Sequence, residues 1–282
     1  MIYFTYIGDY DGLGAQYQRI VSIISFAARL GVEYVHTKIK NIEHINDADY
    51  LEKIEDYFQI SNNFKSVNDV IYDSELNVGN SIDGNLIYEF INFIENERAT
   101  SRNIIVYIHS CYNVIDINDD RDIPENEKFG SIVYDYGMPK LQQIKKNIPL
   151  PEYNKNQNVN IAIHIRRGDI RKTDDGRYIS LDIYQKYINK FIYYYPNGNI
   201  FIFTQITPEN KDEFDAFLIQ NSTVKMMADI DIITTLEYLI KADIFVMGKS
   251  SLSYVAGLYN TNGVLYNSFG HLPLGRWRGL DF

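Results

Sequence analysis

A chain of 282 residues that is 45% hydrophobic and 23% charged can bury a substantial core, in one large domain or in two of about 130 to 150 residues, and this excludes the disordered class. Its formal charge of −10 and pI near 5.0 exclude a large nucleic-acid or anionic-membrane footprint, which would need clustered basic surface. Only two local basic runs stand out, residues 140–146 and 166–172. In chain order, residues 2–7 read as a strand, 8–14 as a loop and 16–30 as a helix that ends at Gly31. Residues 33–37 form the next predicted strand, 49–58 and 86–97 carry helical periodicity, 103–109 is a strongly apolar strand, and 138–146 closes the half as a helix.

Residues 149–158 are rich in proline and asparagine, with little to bury, and read as an interdomain linker. The expected domains are therefore 1–150 and 151–282. The second domain repeats the alternation, with strands at 159–165, 199–204, 223–227, 244–247 and 263–266 and helices at 180–194, 208–219, 232–242 and 251–259. Strands alternating with helices predict parallel sheets covered on both faces. The single cysteine, Cys111, leaves no intrachain disulfide and suits a reducing compartment. Residues 1–6 lack the basic start and apolar core of a signal peptide, and no run approaches the roughly 18 apolar residues of a membrane span. A soluble, cytoplasmic chain without nucleic-acid partners is expected.

The most informative stretch is residues 158–169, where a short apolar strand delivers Arg166, Arg167 and Gly168 to its carboxyl end. Arginine offers a planar fork of donors that matches phosphate oxygens, and ligands of open α/β sheets bind beyond the strand ends, so two forks suit a diphosphate. Solvated surface ion pairs are the plain alternative. The later strand runs through Gly248-Lys249 into Ser250-Ser251 and a helix, whose first N–H groups and dipole make an anion site; serine there also acts as an ordinary cap. Gly12 and Gly14 leave the loop after the first strand free to approach a ligand.

His164-Ile165-Arg166-Arg167-Gly168-Asp169 resembles the first signature motif of the fucosyltransferases that make α1,2 and α1,6 linkages or fucosylate protein hydroxyls, with the α1,2 group most similar. Gly12-Leu13-Gly14-Ala15-Gln16 is similar to that group's glycine-rich loop, with Ala15 where asparagine is usual. Ser180-Leu181-Asp182-Ile183-Tyr184 and residues 242–253 resemble two further motifs in the same order. The resemblance implies two Rossmann-like domains facing across a cleft, the GT-B architecture, with GDP-fucose as donor, a glycan hydroxyl as acceptor and inversion at the sugar. It also implies that the first domain shapes the acceptor site and the second holds the nucleotide, with guanine near His164 and the region 229–235. Thr235 stands where relatives carry an aspartate; Asp229 or Asp231 either replaces it or caps the following helix.

Breaking the bond from sugar C1 to phosphate builds negative charge on the departing nucleotide, which Arg166 and Arg167 would stabilise without a metal or other cofactor. Asp229-Ile230-Asp231 superficially offers a cation-binding pair, but a second neutralising system would be redundant. An in-line hydroxyl needs a proton acceptor. Asp174 falls where the α1,6 relatives carry a glutamate thought to serve; Asp175, Asp9, Asp11 and His109 compete for the role, and each also fits an ordinary structural position. Residues 41–49 and 113–130 are the loops expected to shape the acceptor pocket, and Trp277 either packs or stacks on a sugar. A transferase using another nucleotide sugar, or a catalytically silent glycan- or nucleotide-binding protein of the same fold, are the alternative functions.

Overall fold

The computed structural model divides the chain into two compact α/β units, Met1–Lys146 and Asn147–Phe282. It describes all residues except 44, 46, 83, 112–131, 142–147, 154–157, 172, 174–175, 270–273, 275 and 281–282.

The first unit runs β1 (Ile2–Tyr6), α1 (Leu13–Leu30), β2 (Glu33–Tyr34), α2 (Ala48–Phe58), the single turn α3 (Ile60–Asn63), β3 (Ser74–Ser81), α4 (Gly84–Arg98), β4 (Ile104–Ser110), a π-helical turn at Ile132–Gly137 and α5 (Met138–Leu141). Its sheet is wholly parallel in the order β2-β1-β4-β3. Every residue of β1 is buried, as a strand covered on both faces requires. Phe4 of β1 meets Phe26 of α1 and Phe90 of α4, with ring centroids 5.9 and 5.6 Å apart. Helix α1 stops where Gly31 adopts φ 64° and turns its N–H back to the carbonyls of Ala27 and Ala28. Asp47 caps α2 by accepting from the N–H groups of Asp49 and Tyr50.

The second unit runs β5 (Asn160–His164), α6 (Leu181–Tyr194), β6 (Asn199–Thr204), α7 (Lys211–Gln220), β7 (Val224–Ala228), α8 (Ile232–Lys241), β8 (Ile244–Val246), α9 (Ser251–Tyr259), β9 (Gly263–Tyr266) and β10 (Arg278–Gly279). All pairings are parallel, in the order β10-β9-β8-β5-β6-β7. The chain winds outward from β5 to β7 and then returns to build β8 on the other flank of β5. The carboxyl ends of β5 and β8 therefore bound the point where the winding reverses, which is where open sheets leave a crevice. Trp277 is buried against Tyr254 and Tyr266, which is the packing role.

Three expectations change. Strand β3 is absent from the sequence reading because Ser74-Glu75-Leu76-Asn77-Val78-Gly79 is mostly polar and poor in strand formers; it is held by parallel pairing to β4. The helix expected over 138–146 is preceded by the π-helical turn and spans only Met138–Leu141 among the described residues. The stretch expected to be a bare linker is anchored to the second unit: Tyr153 donates to the Tyr238 carbonyl at 2.7 Å and packs on Phe201, while Lys241 donates to the Ile148 carbonyl at 2.8 Å.

Candidate functional site

The β5/β8 crevice is held together through Gly248. A Cβ at that position would lie 2.6 Å from the His164 carbonyl oxygen and 3.4 Å from the Arg166 nitrogen, so the two strand ends meet backbone to backbone. Ser253, in the first turn of α9, links them again, its Oγ lying 2.5 Å from His164 Nδ1 and accepting the Gly248 N–H at 3.2 Å. Because Oγ accepts from Gly248, its own proton goes to Nδ1, and the tautomer this network assigns carries hydrogen on Nε2. Burial, with the Arg166 charge adding to it, pushes the His164 pKa down to about 4, so the imidazole is neutral at physiological pH.

Arg166 lies just beyond β5 and is partly accessible, donating through Nε and Nη2 to the two oxygens of Asp169 at 3.3 and 2.6 Å. Burial raises the Asp169 carboxyl, but the bond and charge from Arg166 outweigh it and hold the pKa below the usual range. Ser250 caps α9, its hydroxyl accepting the Leu252 N–H at 3.3 Å, and Ser251 opens the helix. One cationic fork and one helix start thus border the crevice.

The expected twin forks are not what the structure presents. The Arg167 side chain is 2% exposed, and it donates to the carbonyls of Arg166 and Ile179 at 3.0 and 2.9 Å. It lies 4.1 Å from the centre of the Tyr178 ring, with Glu213 at 3.5 Å. Successive side chains beyond a strand diverge, and the second of the two is drawn inward by carbonyls and an aromatic face. It also lines a cavity of about 1040 Å³ between the β5–α6 loop, α6 and α7.

The region 229–235 is also engaged internally. Asp229, in the left-handed conformation at φ 53°, accepts the Ile206 N–H at 3.1 Å, and Asp231 caps α8 by accepting the Thr234 N–H at 3.0 Å. Thr235 is buried in α8, its N–H bonded to the Asp231 carbonyl. Asp231 thus caps the following helix, whereas Asp229 binds the Ile206 N–H in the loop after β6, so each member of the superficial cation pair has one oxygen on a main-chain N–H.

In the first unit, Gly12 is the residue before α1 with φ −62°, and Gly14 is buried inside that helix. The turn after β1 that needs a glycine is at Gly8, with φ 87°. The tight turn expected at Gly12 and Gly14 thus falls at Gly8, while Gly12 keeps open space where a Cβ would stand. Asp9, Asp11 and His109 do come together there. Arg19 Nη1 and Nη2 hold Asp9 Oδ2 and Asp11 Oδ2 at 2.9 and 2.7 Å, and His109 Nε2 lies 2.9 Å from Asp9 Oδ2. Asp174 and Asp175 lie outside the described residues, as does the expected loop 113–130. Sequence reasoning named Gly248 and Ser253 only as members of the run 242–253, without the contacts they make to His164, and did not single out Arg19.

No protein-family model matches the chain, and no curated protein matches it. Solved structures are similar at low identity. POFUT1 in complex with GDP-fucose shares 14% identity at a TM-score of 0.46, covering 99% of this chain and 96% of that one. POFUT1 in complex with GDP shares 14% identity at a TM-score of 0.40, covering 99% and 97%. E. coli heptosyltransferase WaaC with ADP-2-deoxy-2-fluoro heptose shares 10% identity at a TM-score of 0.44, covering 99% and 93%. The chain's own topology defines its class, an α/β protein of two parallel-sheet units, each with a reversal point in its strand order. Among the described residues, no helix is long and apolar enough to cross a membrane.

Proposed function

We propose that this chain is an inverting glycosyltransferase that moves fucose from GDP-fucose to a hydroxyl of a glycan, in the manner of the α1,2 group its arginine motif resembles. The observation that carries this reading is the juxtaposition of Arg166 and the α9 helix start across the β5/β8 crevice, joined through Gly248. Both favour an anion, and an α/β crevice at a reversal point is where a nucleotide fits.

The chemistry follows from the charge that moves. As C1 separates from the phosphate oxygen, the nucleotide gains negative charge and the sugar becomes cationic. Arg166 meets that charge with guanidinium donors it now shares with Asp169, and the first N–H groups of α9 add fixed dipoles. Neutral His164 presents an Nε2–H donor for the base or ribose without adding charge. Arg167 acts beneath, holding the loop that carries Arg166. No metal is required in this scheme, and the first unit takes the acceptor.

A second reading, transfer from a different nucleotide sugar, is favoured by the internal engagement of Asp229 and Asp231 and by Thr235. Thermal-shift titration with GDP, UDP, CDP and their sugars, with and without chelator, separates the two. Ligand at a hundred times its Kd adds about 2.7 kcal/mol of stability. Protection by GDP and GDP-fucose that survives chelator, followed by release of GDP on adding acceptor, is the expected result. Protection by UDP alone removes the fucosyl assignment, and binding without turnover leaves a nucleotide-binding protein.

A further inference from the structure

We propose that Arg177 is the second cationic group that holds the donor's diphosphate, on a strap that runs from the loop after β5 to Phe269 beyond β9; this rests on the nucleotide reading above. Two guanidinium forks suit a diphosphate, and the structure turns one of the adjacent pair inward. Arg166 alone of that pair borders the crevice, and it shares its Nε and Nη2 edge with Asp169 at 3.3 and 2.6 Å. A second cation is therefore to be sought elsewhere on the same rim.

The strand order supplies one. β8 lies between β5 and β9. Arg177 belongs to the loop that follows β5, and Phe269 follows β9, so a contact between them bridges the two flanks of β8 at the end where Gly248 leads into α9. That contact is made: Arg177 Cζ lies 5.8 Å from the centre of the Phe269 ring, within cation–π reach. Both ends of the strap are held. Gly176, at φ 82°, turns the loop immediately before Arg177. On the other flank, Asn267 Nδ2 donates to the Met247 carbonyl at 2.5 Å, and the Phe269 N–H donates to the Tyr266 hydroxyl oxygen at 3.0 Å.

Asp169 ties this side chain to Arg166. Burial raises the Asp169 carboxyl, but the bond and charge from Arg166 and then the charge of Arg177 outweigh it. The two guanidiniums thus act on one carboxylate at the crevice rim. Arg177 is exposed, and among the described residues no hydrogen bond or ion pair engages it. A ring contact gives the guanidinium no oxygen acceptor, so its N–H donors remain for phosphate oxygens. Arg166 would meet the diphosphate from the end of β5 and Arg177 from the strap, with the first N–H groups of α9 between β5 and β9.

The test is calorimetric titration of wild type, Arg177→Gln, Arg177→Lys, Phe269→Leu and Arg166→Ala with GDP, UDP and inorganic pyrophosphate. Arg177→Gln should weaken GDP and pyrophosphate by the same factor, on the order of tenfold. Its nucleotide-free melting temperature should stay within about two degrees of wild type, as for other exposed side chains. Arg177→Lys should recover part of the loss, because it keeps the charge without the fork. Phe269→Leu should weaken GDP by about two- to fivefold by releasing the strap. GDP affinity within about twofold of wild type in Arg177→Gln, beside a clear loss in Arg166→Ala, overturns the role of Arg177 and leaves the nucleotide site standing. A loss for GDP with pyrophosphate unchanged also overturns it, since Arg177 would then touch the nucleoside. If wild type takes UDP and not GDP, the fucosyl assignment falls, and a loss of about tenfold read on UDP and pyrophosphate upholds Arg177. A wild type that binds none of the three overturns the function reading and this inference with it.

Discussion

Gly248 lies against the carbonyl of His164 so closely that any side chain at 248 would come within 2.6 Å of that oxygen. This contact sets the distance between the loop carrying Arg166 and the start of α9. The neighbouring atom is main chain at the end of a fully paired central strand, and it has nowhere to yield. Gly248→Ala should therefore cost about 1 to 3 kcal/mol, as overpacking does, and lower the melting temperature by several degrees. Because the displaced elements are those that border the crevice, GDP affinity should fall by more than the lost stability accounts for. Melting and isothermal titration of the same preparation check both, and an unchanged GDP affinity would separate the nucleotide site from this crevice.

The two adjacent arginines should fail in different ways. Arg166 is partly accessible and, among the described residues, its side chain bonds Asp169, so Arg166→Ala should leave stability within about 0.5 kcal/mol while cutting turnover by on the order of 10² or more. Arg167 is buried against Tyr178 and satisfies two carbonyls, so Arg167→Ala should cost on the order of 2 to 4 kcal/mol and impair binding through the loop. Urea unfolding alongside kcat measurements distinguishes them. Equal stability loss in both variants would contradict the division of labour.

That division also marks how far the sequence could be read. The alternation of apolar runs with helical periods placed β1, β4, β5, β6, β8 and β9 to within about two residues, because buried parallel strands are continuous apolar stretches. It could not place β3, whose polar residues become a strand only when β4 is there to pair with. The arginine motif located the loop beyond β5, but adjacency in sequence says nothing about direction, and Arg167 turns inward where Arg166 does not. Asp231 could be read as a cap or a base-recognition group; the sequence did not show that its Oδ1 accepts the Thr234 N–H at 3.0 Å. His109 and Asp9 stand a hundred residues apart, so no spacing rule could pair them.

Stability should depend on pH in two separable windows. The His164 pKa falls from 6.5 to about 4 on folding, so between those values the unfolded chain binds a proton that the folded chain refuses. Stability from this group is complete above about pH 6.5 and is lost as pH falls toward 4, at about 1.4 kcal/mol per unit while only the unfolded state is protonated. For Glu55, burial raises the carboxyl, but the His36 bond, the Ile39 N–H and Ser61 outweigh it and lower its pKa from 4.5. Its contribution is present above 4.5 and disappears only below. Melting temperature between pH 6.5 and 4.5 should therefore fall in wild type and fall less in His164→Gln, whereas Glu55→Gln should lower it throughout that range. A wild-type curve flat from pH 6.5 to 4.5 would mean that His164 titrates normally in the folded protein.

Asp231 provides the last prediction, because capping and guanine recognition demand different things of one carboxylate. As the residue that starts α8, its Oδ1 accepts the Thr234 N–H, and losing that bond should cost about 1 kcal/mol. Asp231→Ser keeps a capping oxygen but removes the charge and the second acceptor, so it should recover most of the stability lost in Asp231→Ala. If capping is the whole role, neither variant changes the preference for GDP over UDP in a thermal-shift titration. A guanine contact would behave differently, since the paired N1–H and N2–H donors need both oxygens, and both variants would then lose GDP protection while retaining their response to the diphosphate alone. Stability restored in Asp231→Ser with nucleotide preference unchanged is the expected outcome, and it would move the search for the base-reading group to the donor on His164 Nε2.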